Sequence, residues 1–153
     1  MNTRPTDLKM LLKDPSLLET RAYVAGEWIN ADDGKTFKVV NPARGDVIAE
    51  VADLSRAETA RAIAAAAEAM KDWAARTAKE RAQIMRKWFD LMMENQDDLG
   101  RILTAEMGKP LPEAKGEIAY GASFIEWFGE EAKRIYGETI PGHMRDKRLT
   151  VIK

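Results

Sequence analysis

Cysteine is absent from all 153 residues. Disulfides are thereby excluded, as is any zinc site built on thiolates, while the compartment stays open. Histidine is almost absent as well. His143 stands alone in a Pro-Gly loop with no second histidine to complete a ligand set, so it reads as a surface loop residue and no metal site is expected. A dominant charge sign is also missing. Lys and Arg number 24 against 25 Asp and Glu, a formal net charge of −1, which leaves no field to hold nucleic acid or an anionic membrane. No apolar run approaches the roughly 18 residues that span a bilayer, and Met1-Asn2-Thr3-Arg4-Pro5 contains no apolar signal core. The cytoplasm is therefore the expected location. Phosphate and dinucleotide loops are missing too. Lys109 follows Gly108, but Gly100 lies eight residues before Gly108 rather than five, Pro110 stands where Ser or Thr is needed, and no G-x-G-x-x-G occurs.

What is present is a globular composition, 45% hydrophobic and 32% charged, long enough for one domain. Residues 1–20 read as an arm with two small helical turns, the second starting at Asp14-Pro15. Tyr23 to Ile29, Phe37 to Val40 and Val47 to Val51 carry alternating or β-branched residues. Turns at Asp33-Gly34 and Gly45-Asp46 supply positive φ, so the pattern predicts a small antiparallel meander. From Ser55 the apolar period changes from two to 3.6. Ser55-x-x-Glu58 is a capping box opening a helix to about Trp73, with Ala60, Ile63, Ala64, Ala67 and Met70 on one face. Thr77-x-x-Glu80 opens a second, whose stripe Ile84, Met85, Trp88, Phe89, Leu91 and Met92 should be well buried.

A third helix, about Gln96 to Met107, stops at Gly108 in the usual left-handed role. A fourth runs from Pro112 to about Tyr136, with Gly137 as its stop signal. Its interior Gly116 and Gly121 together cost about 2 kcal/mol relative to alanine, so something must favour a missing side chain there. Lys147 to Lys153 alternates as a strand and should end unpaired.

Few residues invite a chemical role. Glu113 and Glu117 share a helix face at i, i+4, yet acids in a first turn also suit the helix dipole. Glu126, Glu130 and Glu131 with Lys133 and Arg134 read as a solvated face, with Glu130 and Arg134 available as an i, i+4 pair. The sharpest constellation is Gly116, Tyr120 and Phe124, spaced by four and therefore stacked on one strip of the fourth helix. Plain packing is one reading of it.

The other comes from a resemblance. Tyr23-Val24-Ala25-Gly26-Glu27-Trp28, Asn41-Pro42-Ala43, Thr77-Ala78-Lys79-Glu80-Arg81, Glu106-Met107-Gly108-Lys109-Pro110, Phe124-Ile125-Glu126-Trp127-Phe128 and Tyr136-Gly137-Glu138-Thr139-Ile140-Pro141 occur in order over residues 23–153. Together they resemble the N-terminal third of an aldehyde dehydrogenase, closest to the bacterial succinate-semialdehyde type. The resemblance implies an α/β fold, seen here as an N-terminal fragment: residues 21–141 as the first part of the coenzyme-binding domain without its dinucleotide core, and 142–153 as the start of an oligomerisation strand. It implies NAD or NADP as coenzyme of the complete enzyme, a small aldehyde as substrate, and a homodimer or homotetramer.

In the family the positions matching Gly116 and Tyr120 line the entrance tunnel to the nucleophilic thiol. That thiol, its general base and the dinucleotide core lie beyond the position matching Lys153, so the resemblance implies no catalytic and no cofactor-binding residue in this chain, and no activity or bound cofactor for it alone. Two other classes remain open: a non-catalytic fragment that binds another chain through Trp88, Phe89, Trp127 and Phe128, and a self-sufficient helical binding domain.

Overall fold

The computed structural model describes residues 7–153, so the first six residues of the expected arm lie outside the described residues. Two 3-10 turns follow, Leu8–Leu11 and Pro15–Leu17. Asp7 and Asp14 start them by accepting the N–H of Lys9 and Ser16. Leu8, Leu12 and Leu18 are buried together against Ala105. This segment is also pinned by a polar contact: the buried Asp98 carboxylate accepts the backbone N–H of Lys13 at 3.0 Å and of Asp14 at 2.8 Å.

The strands form separate hairpins rather than one meander: β1 (Ala22–Val24) with β2 (Glu27–Ile29), and β3 (Thr36–Val40) with β4 (Val47–Ala52), each antiparallel. The first closes through Ala25 and Gly26, both at positive φ (53° and 90°), the two-residue geometry that matches strand twist. Gly34 and Gly45 hold φ of 71° and 77°, as their turns require.

Helices α1 (Arg56–Ala75), α2 (Ala78–Glu94), α3 (Gln96–Met107) and α4 (Leu111–Glu131) follow. Both capping boxes form. In the first, the buried Glu58 carboxylate accepts the N–H of Ser55 at 2.5 Å and of Asp32 at 2.6 Å, tying α1 to the loop before β3. These backbone donors, that of Asp32 foremost, hold Glu58 below the usual carboxylate range. A depressed folded value contributes stability that is present above the unfolded value of 4.5 and lost as pH falls through the folded one. Glu58→Gln should therefore lower stability at neutral pH and flatten the decline below pH 4.5; urea melts across that range check it.

Gly108 caps α3 at φ 78°, and Pro110 starts α4. The fourth helix ends earlier than its pattern predicts. It tightens into a 3-10 turn at Ala132–Arg134, and Gly137 is not its left-handed stop. Gly137 is needed for a different reason: a Cβ there would overlap the carbonyl of Val151. That carbonyl belongs to β6 (Arg148–Val151), which pairs with β5 (Glu138–Pro141). The last strand is thus not unpaired, because its partner begins four residues before the expected boundary at 142.

Packing centres on α4, which lies against α2 and α3. Its buried residues are Ala114, Ala122 and Gly129. Close approach falls at two glycines that the pattern does not single out. A Cβ on Gly129 would come within 3.2 Å of Met85 Cβ, and one on Gly100 within 2.8 Å of Lys115 Cγ. Around Gly116 and Gly121 there is open space instead. Gly100→Ala should lose its gain in helix propensity to overpacking against Lys115 and come out less stable than Gly121→Ala. Gly121→Ala should add about 0.5–1 kcal/mol, since only helix propensity changes. Paired thermal melts compare the two.

The α2 stripe is only partly covered: Met85, Phe89 and Met92 are half-buried, whereas Ile84, Trp88 and Leu91 are exposed. On α1, Ile63 and Met70 are exposed too. Accessible surface totals 11583 Å2. A compact protein of this mass exposes about 7,800 Å2.

Candidate functional site

A helix turns 100° per residue, so positions two apart face nearly opposite ways. Ala114, Ala122 and Gly129 turn one side of α4 to its neighbours; Gly116, Tyr120 and Phe124 lie on the other side and are exposed. The three predicted residues therefore share a strip, and that strip is not core within this chain. Tyr120 and Phe124 meet edge to face, with ring centroids 4.9 Å apart at 74°. Trp127 extends the row by one turn and Phe128 stands beside it. With Tyr120 and Phe124 they line an open groove of about 850 Å3.

Trp127 and Phe128 were legible in the sequence as aromatics, but not as a continuation of this strip. The spacing 120, 124, 127 is the signal that joins them. Gly116 lies one turn before the groove, where an added Cβ would meet nothing within 4 Å.

The groove's acidic rim is already neutralised. Glu126 pairs with Arg86 at 3.2 Å, Glu130 with Lys133 at 3.0 Å and Glu131 with Arg134 at 2.7 Å. Arg134 thus takes its i−3 partner rather than Glu130. Glu113 is exposed in the first turn of α4, and Glu117 pairs with Lys109 instead of acting beside Glu113. Lys115 reaches Asp97 on α3. His143 is exposed in the turn between β5 and β6. Among the described residues no three His, Cys, Asp or Glu side chains are grouped to hold a metal ion, and no helix is long and apolar enough to cross a membrane.

Displaced titrations here serve structure. Glu19, drawn down to about 2 chiefly by its hydrogen bond with the Arg21 guanidinium, lies in the connection between the arm and β1. A dinucleotide crevice requires parallel strands joined through a helix. Among the described residues every sheet is a two-stranded antiparallel hairpin.

The sequence model of the aldehyde dehydrogenase family matches residues 28–153. A glutarate-semialdehyde dehydrogenase of Pseudomonas aeruginosa is 64% identical over 144 residues, 94% of this chain and 30% of the relative. A succinate-semialdehyde dehydrogenase (NADP+) of Escherichia coli K12 is 58% identical over the same coverage. The crystal structure of an aldehyde dehydrogenase from Brucella melitensis biovar abortus 2308 superposes with a TM-score of 0.88 at 60% identity, covering 92% of this chain and 29% of that one. The chain thus spans about 30% of the length of the curated relatives it matches.

Proposed function

We propose, from the premise that this chain belongs to the aldehyde dehydrogenase family, that it is the N-terminal scaffold of an NAD(P)-dependent enzyme oxidising a short semialdehyde to the acid in the cytoplasm. Its α/β fold is that of the N-terminal part of aldehyde dehydrogenases. Succinate semialdehyde is the substrate we favour. Glutarate semialdehyde competes with it, since relatives named for each are 58% and 64% identical. The ratio of kcat/KM for the two aldehydes, measured on the complete enzyme, decides between them. In this reading the coenzyme is held by other segments of the complete enzyme.

Within that reading, Gly116, Tyr120 and Phe124 form one wall of the aldehyde's entrance tunnel. The supporting observation is the open space at Gly116 in line with an exposed edge-to-face aromatic pair. An aromatic row buried for stability alone would face α2 or α3, as Ala114 and Ala122 do. The β5–β6 hairpin is assigned to the oligomerisation sheet of a dimer or tetramer. All residues of both its strands are exposed, and its outer edges offer backbone groups for strand addition.

Gly116→Leu in the complete enzyme tests the tunnel. Helix propensity should improve by about 0.5–1 kcal/mol, the melting temperature should hold, and apparent KM for the aldehyde should rise. A destabilised variant with unchanged KM would instead mean that another element packs on Gly116 and that no aldehyde passes there.

A further inference from the structure

Between the first 3-10 turn, the β3–β4 turn and α3 lies a cleft of about 150 Å3 that shares no residue with the aromatic groove. Its polar wall consists of Asn41, Arg44, Arg101 and Thr104, all able to donate hydrogen bonds, and among the described residues no carboxylate lines it. Leu8 and Leu111 supply apolar wall opposite in character.

The donors are poorly used. Asn41 is only 5% exposed, and its Oδ1 accepts the N–H of Ala43 at 2.9 Å and of Arg44 at 3.1 Å. Those two bonds fix the amide's orientation and leave its Nδ2 hydrogens without a partner among the described residues. Thr104 Oγ1 is buried and has no hydrogen-bond partner among the described residues. A buried polar group left unmatched is destabilising, so its position beside the cleft favours an occupant that can satisfy it. Arg44 holds Asp46 through Nε and Nη2, and Arg101 holds Asp97 through Nε. Both carboxylates stand outside the cleft, and each guanidinium keeps further N–H groups.

We propose that this cleft binds a small aliphatic carboxylate of about four carbons, its oxygens on Asn41, Arg44, Arg101 and Thr104 and its chain on Leu8 and Leu111. The volume admits about five water-sized groups, which suits that ligand and excludes a nucleotide. A carboxylate is preferred to a neutral alcohol because it accepts several charge-assisted bonds at once from a wall in which two guanidinium groups and an amide donate and only the Thr104 hydroxyl can also accept. A cation is excluded by the two guanidinium groups. The site is independent of the aldehyde chemistry proposed above, because it uses neither the groove nor any reacting group.

Saturation-transfer NMR on the full chain, observing the ligand's methyl group, tests this with butyrate, butanol and butylammonium. Butyrate should give a saturable signal, butanol should bind roughly tenfold more weakly, the effect of losing a charged hydrogen bond, and butylammonium should give none. Arg44→Gln and the double variant with Arg101→Gln should weaken butyrate progressively. Should the double variant fail to fold, Arg44→Gln alone suffices, since Arg44 sits on an exposed turn. The absence of saturable butyrate binding, equal binding of butanol, or butyrate affinity unmoved by Arg44→Gln would each overturn the proposal.

Discussion

The 153-residue chain by itself should turn over neither succinate semialdehyde nor glutarate semialdehyde with NAD or NADP above the uncatalysed rate. Thiol nucleophiles carry out acyl-forming attack near neutral pH because the thiolate is both accessible and intrinsically reactive. No cysteine exists in this chain to supply one. Removing the nucleophile of a covalent enzyme costs on the order of 10⁶ in kcat. Here the parallel strand–helix–strand unit that would place a nicotinamide is also missing from the described residues. NAD(P)H absorbance in a purified sample reports the outcome directly. Turnover at an ordinary enzymatic rate would mean that catalysis uses a nucleophile and a coenzyme site that neither the sequence nor the fold displays.

The same chain should self-associate in water and bind a hydrophobic dye strongly. Its surface exceeds that of a compact protein of equal mass by about 3,800 Å2, starting from the 11583 Å2 that it exposes. Large apolar side chains contribute to it: Trp88 and Leu91 on α2, Tyr120, Trp127 and Phe128 on α4, and Ile63 and Met70 on α1 are all exposed. A soluble monomer's largest apolar patch is about 300–600 Å2. A stable dimer buries roughly 800 Å2 per partner, so the area available is ample. Sedimentation across a concentration series, with dye fluorescence in parallel, checks this. A monodisperse monomer that leaves the dye dark would favour the reading of a self-sufficient binding domain, as would a single cooperative melt independent of concentration.

The helices were legible because capping and periodicity are local. Ser55-x-x-Glu58, Thr77-x-x-Glu80 and Gly108 specify ends through hydrogen bonds and φ values settled within a few residues. The end of α4 was not, since Gly137 looks like a helix stop and is instead a contact site for a strand more than ten residues further on. The candidate strip was legible as a spacing, 116, 120 and 124, but its direction was not. Periodicity says that two faces differ without saying which one finds a partner.

The sequence alone determined what chemistry this chain lacks, since a missing cysteine or glycine-rich loop is a fact of composition that no folding can alter. It also determined the order of its helices and, through residues spread over 23–153, its family. Only the tertiary structure decided at which glycines another element comes close. Gly100, Gly129 and Gly137 sit where other elements cross, while Gly116 and Gly121 face open space. Close approach depends on residues far apart in the chain, and nothing in the local pattern records the distance between them.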